Sequence, residues 1–339
     1  MPDRPAQPPR AVFAMDPVHL PRLFPPPLMA GLRQTCAIEP ALVVRDFSAP
    51  AAAAALAEAD VLITGWGCPP LDAALLTAAP RLRAVLHAAG SVRHLIGEDV
   101  WRHGVTVSSA AAANAVPVAE YTLAMILLAG KDAFAHRDRY RTTHTPPTSA
   151  ETASTGNLGR RVGVIGASRV GRRLLELLRP FDFDVLLHDP YATPAEAAAL
   201  GAELLPLDTL LRRSDIVTLH APDLPGTHRM LDADRLSLLR DGAALINTSR
   251  GALVDPDALT GELVSGRLTA ILDVTEPEPL PADSPLYRLP NVVLTPHIAG
   301  SLGNELERLG RTVVAELERL AAGHALAHEV RRADLTRVA

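Results

Sequence analysis

The chain has 339 residues, 48% of them hydrophobic, and a formal net charge of -5 at pH 7. This length exceeds that of a typical single domain, so two domains with sizeable cores are expected. The acidic balance argues against nucleic acid as the main partner, and the two isolated cysteines, Cys36 and Cys68, support neither a disulfide framework nor a zinc site.

Neither a signal peptide nor a membrane segment is predicted. The first ten residues are polar and proline-rich and lack the apolar core of a signal peptide. The apolar run at residues 122–130 is too short for a membrane helix, which needs about 20 residues. We therefore expect a cytoplasmic protein without a membrane partner.

The first part of the chain alternates short apolar strands with alanine- and leucine-rich helical segments. Strands are predicted at residues 11–15, 42–45, 61–64, 84–87 and 105–107, and helices at 50–59 and 71–79. This alternation is typical of a parallel sheet with helices on both faces. A long helix is predicted at residues 117–134, with Pro117 in its first turn. Residues 141–156, rich in Thr, Pro and Ser, are predicted to be a surface loop or linker.

Residues 162–190 predict a strand, a glycine turn, a helix and a second strand, in that order. The apolar run before Gly166 suits a buried parallel strand, and apolar residues from Val170 onward recur at helical spacing. The start of such a helix offers free N–H groups to a pyrophosphate, and an acid after the second strand, here Asp189, accepts hydrogen bonds from an adenosine ribose. The pattern indicates a dinucleotide site, and Asp189 favours NAD over NADP.

The glycine turn departs from the usual GxGxxG pattern at its middle position. Ser168 stands there, between Gly166 and Gly171. The middle glycine normally lets the backbone approach the pyrophosphate, whereas serine adds a side chain whose hydroxyl is able to donate to a phosphate oxygen. Taken alone, the turn is equally compatible with an ordinary βαβ unit.

The rest of the chain continues as a second α/β unit. Strands are predicted at residues 216–219, 244–247, 270–273 and 292–294, and helices at 195–200, 232–238, 256–265 and 302–322. Three of these strands are followed by polar segments: Arg250 after the second, the acids Glu276 and Glu278 after the third, and His297 after the fourth.

Each of these polar segments has an ordinary explanation when taken alone: a surface arginine, a solvated acidic loop and a structural histidine. Together they follow strands of one parallel sheet, which brings their loops to the same edge. An arginine is able to grip a carboxylate and polarise a carbonyl, and a histidine held by a carboxylate is an acid–base group. The combination indicates hydride transfer between a 2-hydroxy acid and a 2-keto acid.

The glycine turn with Asp189 and these three segments together resemble the D-isomer-specific 2-hydroxyacid dehydrogenases, over roughly residues 60–322. The resemblance implies an NAD-dependent enzyme, similar to hydroxypyruvate and glyoxylate reductases, that acts on a small 2-keto or D-2-hydroxy acid as a homodimer. It implies an α/β fold of two doubly wound parallel-sheet domains. A Rossmann NAD domain, residues 118–302, is inserted into a flavodoxin-like substrate domain, residues 1–117 and 303–339.

The resemblance also implies roles for individual residues. Arg250 matches the catalytic arginine and His297 the general acid/base, while Glu278, five residues after Asp273, matches the glutamate that tunes the histidine. Glu276 is the next candidate for that partner. The implied cofactor-binding residues are Gly166, Ser168, Arg169, Val170, Gly171, Asp189, Ala221, Pro222, Thr248, Ser249, Asp273 and Gly300. The implied substrate-binding residues are Gly90, Ser91 and Arg250, and no metal is implied.

Some alternatives remain open. Val92 stands where the family's substrate loop usually has an acid, which leaves the substrate undetermined. Some proteins similar to this family are NAD-sensing binding proteins or corepressors with little catalysis, although the intact Arg250, Glu278 and His297 favour an enzyme. Glu278 also disfavours a formate dehydrogenase, because that subfamily has glutamine at the matching position. Phosphonate oxidation is a further alternative, which would use the same three residues.

Overall fold

A computed structural model describes residues 8–336, which divide into two compact units. The first unit comprises the chain up to Asn114 and again from Ser301, and the second comprises Ala115–Gly300. The second unit is therefore inserted between the two segments of the first. The crossings predicted from the sequence, at 117/118 and 302/303, lie slightly further along the chain.

The strands, in chain order, are β1 (Arg10–Ala14), β2 (Ala37–Val44), β3 (Val61–Thr64), β4 (Ala84–His87), β5 (Thr106–Ser109), β6 (Arg161–Ile165), β7 (Asp184–His188), β8 (Glu203–Leu204), β9 (Ile216–Leu219), β10 (Ala244–Asn247), β11 (Thr269–Leu272), β12 (Val292–Leu294) and β13 (Glu329–Val330). The α-helices are α1 (Leu20–Leu23), α2 (Pro26–Thr35), α3 (Pro50–Ala57), α4 (Ala73–Ala78), α5 (Glu98–Arg102), α6 (Ala111–Ala129), α7 (Ala133–Thr143), α8 (Arg169–Leu178), α9 (Pro194–Ala199), α10 (Leu207–Arg213), α11 (Ala233–Ser237), α12 (Pro256–Val264) and α13 (Leu306–Ala321).

The sheet of the first unit has the strand order β13-β5-β4-β3-β1-β2. Strands β1 to β5 are parallel to one another, and β13 lies at one edge of the sheet, antiparallel to β5. Side chains alternate between two apolar cores, with Leu62 and Val85 in one and Ile63 and Leu86 in the other, because successive residues of a strand point to opposite faces. The order 2-1-3-4-5 is that of flavodoxin-like folds.

The sheet of the second unit has the order β12-β11-β10-β9-β6-β7-β8, and all its pairings are parallel. The chain direction across the sheet reverses between β6 and β9, which is the switch point of a Rossmann fold. Leu245 and Ile246 again belong to different apolar cores, so both faces of the sheet are covered. The two sheets confirm the predicted fold class.

Helix α6 differs from its prediction. It begins at Ala111, so Pro117 lies inside the helix. The alanines before the proline favour helix strongly enough to offset the one hydrogen bond that proline lacks. The segment predicted as a loop at 141–156 is entered by α7, which extends to Thr143.

Helix α6 also corrects the expectation that no segment approaches the length of a membrane span. It has 19 residues with a mean hydropathy of 1.5 over an 18-residue window, 33% of which is buried. By length and composition it is able to cross a membrane, but the core helix of a soluble protein meets the same description.

Seven of the labelled elements were not predicted: α1, α2, α5, α7, α10, β8 and β13. Pro26 and Pro27 lie in the first turn of α2, where proline is accepted because its missing N–H has no helical partner. The strands β8 and β13 contain two residues each, too few for a period to be recognised.

Candidate active site

The predicted site residues of the second unit follow strands of a single parallel sheet. Arg250, Asp273 and His297 follow the neighbouring strands β10, β11 and β12. Gly166 and Asp189 follow β6 and β7, beside the switch point. Since parallel strands end at one edge of a sheet, Arg250, Asp273 and His297 lie at the same edge as the glycine turn.

The glycine turn is packed too closely for side chains. Gly166 has φ +101°, and a Cβ there would lie 2.7 Å from the backbone nitrogen of Ala221. A Cβ on Gly171 would lie 2.0 Å from the carbonyl oxygen of Gly166. Both positions therefore require glycine, which lets β6, the start of α8 and the loop after β9 approach each other.

Ser168 is the N-cap of α8. Its backbone is extended, and its hydroxyl accepts a hydrogen bond of 3.3 Å from the backbone N–H of Gly171. The hydroxyl proton is still available to donate, and the N–H groups of Arg169 and Val170, in the first turn, have no partner within the helix. A serine before a helical segment is a recognised start signal, so this role could have been found from the sequence.

Asp189, just after β7, forms hydrogen bonds that join this strand to the glycine turn. One carboxylate oxygen accepts from the backbone N–H of Ala167 at 2.7 Å, and the other from that of Tyr191 at 2.8 Å. Each oxygen keeps further acceptor capacity. Free N–H groups at a helix start, with an acid fixed beside them, fit the pyrophosphate and ribose of a dinucleotide.

The loop after β9 rests on a buried histidine. His220 Nε2 lies 2.9 Å from the hydroxyl of Thr218, and burial lowers the pKa of His220 to about 3. The ring is therefore neutral and structural. The next residue, Ala221, accepts a 2.8 Å hydrogen bond from the hydroxyl of Ser249, so two predicted cofactor-binding residues are joined directly.

His297 forms a pair with Glu278. His297 Nδ1 lies 2.8 Å from Glu278 Oε1, and the two side chains are 52% and 43% exposed. Glu276 does not make this contact; its Oε2 is buried and has no hydrogen-bond partner among residues 8–336. With Nδ1 engaged by the carboxylate, Nε2 is the nitrogen left for proton exchange with a substrate.

Asp273 holds the His297 loop from beneath. It is 2% exposed and accepts hydrogen bonds from the Thr295 hydroxyl at 2.6 Å and from the backbone N–H groups of Ile298 and Ala299, each at 2.8 Å. Its own carbonyl oxygen accepts from the His297 N–H at 3.0 Å. The resemblance implied a cofactor-binding role for Asp273; this anchoring of the loop was not foreseen.

Arg250 lies in the loop after β10. Its Nη1 donates to the carbonyl oxygen of Ser249 at 2.6 Å, and within residues 8–336 its guanidinium forms no ion pair. Its remaining donors suit a carboxylate. A Cβ on the next residue, Gly251, would lie 2.1 Å from the backbone of Thr275, so the arginine loop packs directly on the loop that carries Glu278.

The predicted substrate loop lies in the first unit, after β4. Gly90 and Ser91 follow His87, whose buried ring bonds the Thr64 hydroxyl at 2.9 Å and the backbone of Ser91. Burial, with a smaller effect of the charge on His94, lowers the pKa of His87 to about 3. The loop thus rests on a neutral histidine. Val92 is 3% exposed and belongs to the core.

Comparison with known proteins points to one family. The model for the D-isomer specific 2-hydroxyacid dehydrogenase NAD binding domain matches residues 123–299. A D-3-phosphoglycerate dehydrogenase from Mycobacterium bovis is 38% identical over 269 residues, which cover 79% of this chain and 50% of that protein. A glyoxylate reductase from Korarchaeum cryptofilum is 30% identical over 254 residues, 73% of this chain and 76% of that protein.

Solved structures give the same picture. A phosphoglycerate oxidoreductase from Rhizobium etli has a TM-score of 0.80 and 27% identity, over 96% of this chain and 99% of that chain. A D-lactate dehydrogenase from Aquifex aeolicus, complexed with NAD and lactic acid, has a TM-score of 0.72 and 27% identity over 92% and 96%. The chain spans about half the length of the curated phosphoglycerate dehydrogenases that it matches. The chain belongs to the D-isomer specific 2-hydroxyacid dehydrogenase family.

Proposed function

We propose that the chain is an NAD-dependent oxidoreductase that transfers a hydride between NADH and a 2-keto acid, giving a D-2-hydroxy acid. The observation that carries this proposal is the 2.8 Å pair of His297 and Glu278. It lies at the sheet edge that also bears Arg250 and the glycine turn. The names of the similar proteins, which are dehydrogenases and reductases of small acids, support the same chemistry.

The turn from Gly166 to Gly171 and Asp189 would hold the dinucleotide, and the bound NADH supplies the hydride. Arg250 binds the substrate carboxylate and the carbonyl oxygen, on which negative charge grows during the reaction. His297 gives that oxygen a proton from Nε2, while Glu278 binds Nδ1 and so orients the ring. In oxidation the same nitrogen takes the proton back.

The two units divide the work in this proposal. The second unit, Ala115–Gly300, which corresponds to the domain predicted at 118–302, binds NAD. The first unit carries the predicted substrate-binding residues Gly90 and Ser91, whose backbone N–H groups suit a carboxylate. We also propose a location in the cytoplasm and a homodimer; only 33% of the apolar window in α6 is fully buried within one chain, which supports a homodimer.

The test is NADH consumption with a panel of 2-keto acids. Glyoxylate and 3-phosphohydroxypyruvate are the keto acids that correspond to the names of the relatives. Hydroxypyruvate follows from the sequence resemblance, and longer 2-keto acids extend the range. Turnover of at least one acid, with little use of NADPH, supports the proposal. Tight NADH binding without turnover of any acid would instead support the second candidate, an NAD-sensing binding protein or corepressor.

A further inference from the structure

Helix α6 contributes two adjacent hydroxyl groups to the ends of two strands in the second unit. The Tyr121 hydroxyl lies 2.8 Å from that of Thr295, just after β12. The buried Thr122 hydroxyl donates to the carbonyl oxygen of Val118. It also lies 3.0 Å from the hydroxyl of Thr248, just after β10. Because the Thr122 proton is already used, Thr248 is the donor in the second pair.

The direction of the bond at Tyr121 is fixed by Asp273. A carboxylate only accepts, so the Thr295 hydroxyl must give its single proton to Asp273, 2.6 Å away. Tyr121 must then be the donor to Thr295. Burial raises the pKa of Tyr121, as does the charge of Asp273, while the bond to Thr295 lowers it. The net rise keeps the phenol protonated, and therefore able to donate, at neutral pH.

These hydrogen bonds, from Tyr121 through Thr295 to Asp273, lead to the loop that carries His297. Asp273 accepts from Thr295 on one side of the histidine and from Ile298 and Ala299 on the other. His297 itself has φ +54°, a left-handed conformation that is unfavourable for a residue with a side chain. The anchors on both sides must therefore maintain a backbone that would otherwise relax.

We propose that Tyr121 is a positioning residue for proton transfer: through Thr295 and Asp273 it orders residues 295–299 and so fixes the ring of His297. The inference rests on the proposed function, since it assigns Tyr121 a part in that reaction. Tyr121 itself does not touch His297. Thr122 keeps α6 fixed against the same sheet edge, which makes the phenol a rigid support.

The first test removes one hydroxyl. Tyr121→Phe should lower kcat about threefold to tenfold, the effect of one net hydrogen bond. The KM for the keto acid and the Kd for NADH should stay within about twofold, because neither the Tyr121 nor the Thr295 hydroxyl is among the predicted ligand-binding groups. Tyr140→Phe makes the same change at an exposed tyrosine of α7 and should leave kcat unchanged. Equal kcat values in the two variants would overturn the proposal, as would a change in KM or Kd alone.

The second test asks whether Tyr121 acts through Thr295. Thr295→Val breaks these hydrogen bonds without changing the side-chain shape, and Thr295→Ser should preserve kcat because it keeps the hydroxyl. In the Thr295→Val background, Tyr121→Phe should cause no further loss of kcat. Independent, multiplied losses would show that Tyr121 acts by another route.

The third measurement does not depend on turnover. Amide hydrogen exchange at Ile298 and Ala299 should quicken about threefold to tenfold in Tyr121→Phe and Thr295→Val, and not in Tyr140→Phe. Unchanged exchange would overturn the proposed ordering even in an active enzyme. Faster exchange in a protein that reduces no keto acid would retain the ordering of the loop, and would reject the proposed function together with the part assigned to Tyr121 in it.

Discussion

The guanidinium of Arg250 has no carboxylate partner within residues 8–336 and is therefore available to bind a substrate. In the proposed reaction, part of its interaction with the carbonyl oxygen forms only in the transition state. Arg250→Ala should therefore lower kcat on the order of 10²–10³, by analogy with the loss of one oxyanion donor, and should raise KM. Steady-state kinetics with the best keto acid measures both. Near-normal kcat with a raised KM alone would make Arg250 an anchor only.

The bond between His297 and Glu278 gives a second prediction for single residues. Glu278→Gln replaces the charge-assisted hydrogen bond to His297 Nδ1 with a neutral one and should lower kcat for keto-acid reduction about threefold to tenfold. Glu276→Gln is the matched control, because Glu276 does not contact His297, and it should leave kcat unchanged. Steady-state kinetics compares both variants with the wild type. If kcat of Glu278→Gln equals that of the wild type, Glu278 does not position His297.

For single elements, helix α8 depends on the residue that departs from the glycine pattern. Ser168 caps this helix, so Ser168→Ala should cost about 1 kcal/mol of stability. It should also weaken NADH binding by about 0.5–1.5 kcal/mol if the hydroxyl donates to the pyrophosphate. Ser168→Gly restores the usual motif and should cost only a few tenths of a kcal/mol in stability.

Urea unfolding and NADH titration separate the two roles of Ser168. Lower stability with an unchanged Kd in the alanine variant would leave the serine as a helix cap alone. Unchanged stability would contradict the capping geometry.

At the scale of the whole molecule, each unit contains one buried neutral histidine among residues 8–336. Burial lowers the pKa of His87 in the first unit and of His220 in the second to about 3. Unfolding exposes both rings, which then bind protons near pH 6.5. Their contribution to the free energy of unfolding is complete above that pH. It is lost as pH falls towards 3, by up to about 1.4 kcal/mol per pH unit for each ring.

Urea unfolding at about pH 7.5 and about pH 5 measures this loss. The free energy of unfolding should be lower at the acidic pH. His220→Gln should reduce the difference, whereas the same change at the exposed His324 should not. Equal free energies at the two pH values in the wild type would contradict the neutral state of the buried rings.

The sequence predicted the features that repeat locally. Apolar runs and glycine turns placed most strands of both sheets, and parallel strands necessarily end at one edge, so the proximity of Arg250, Asp273 and His297 followed. The pairing of Tyr121 with Thr295 joins residues that are 174 positions apart, and no local period encodes such a bond. Helix α6 was placed too late because Pro117 was taken as its start, although alanines before it already favour helix.

The left-handed backbone of His297 decides which inactive variant is useful for trapping a complex. Alanine would remove the ring but would also relax towards ordinary backbone angles, whereas asparagine adopts the left-handed region readily. His297→Asn should therefore remove the proton donor while residues 295–299 keep their shape. A protein of this kind, mixed with NADH and a 2-keto acid, would hold both molecules without consuming them, and crystals of that mixture would reveal which acid the enzyme selects.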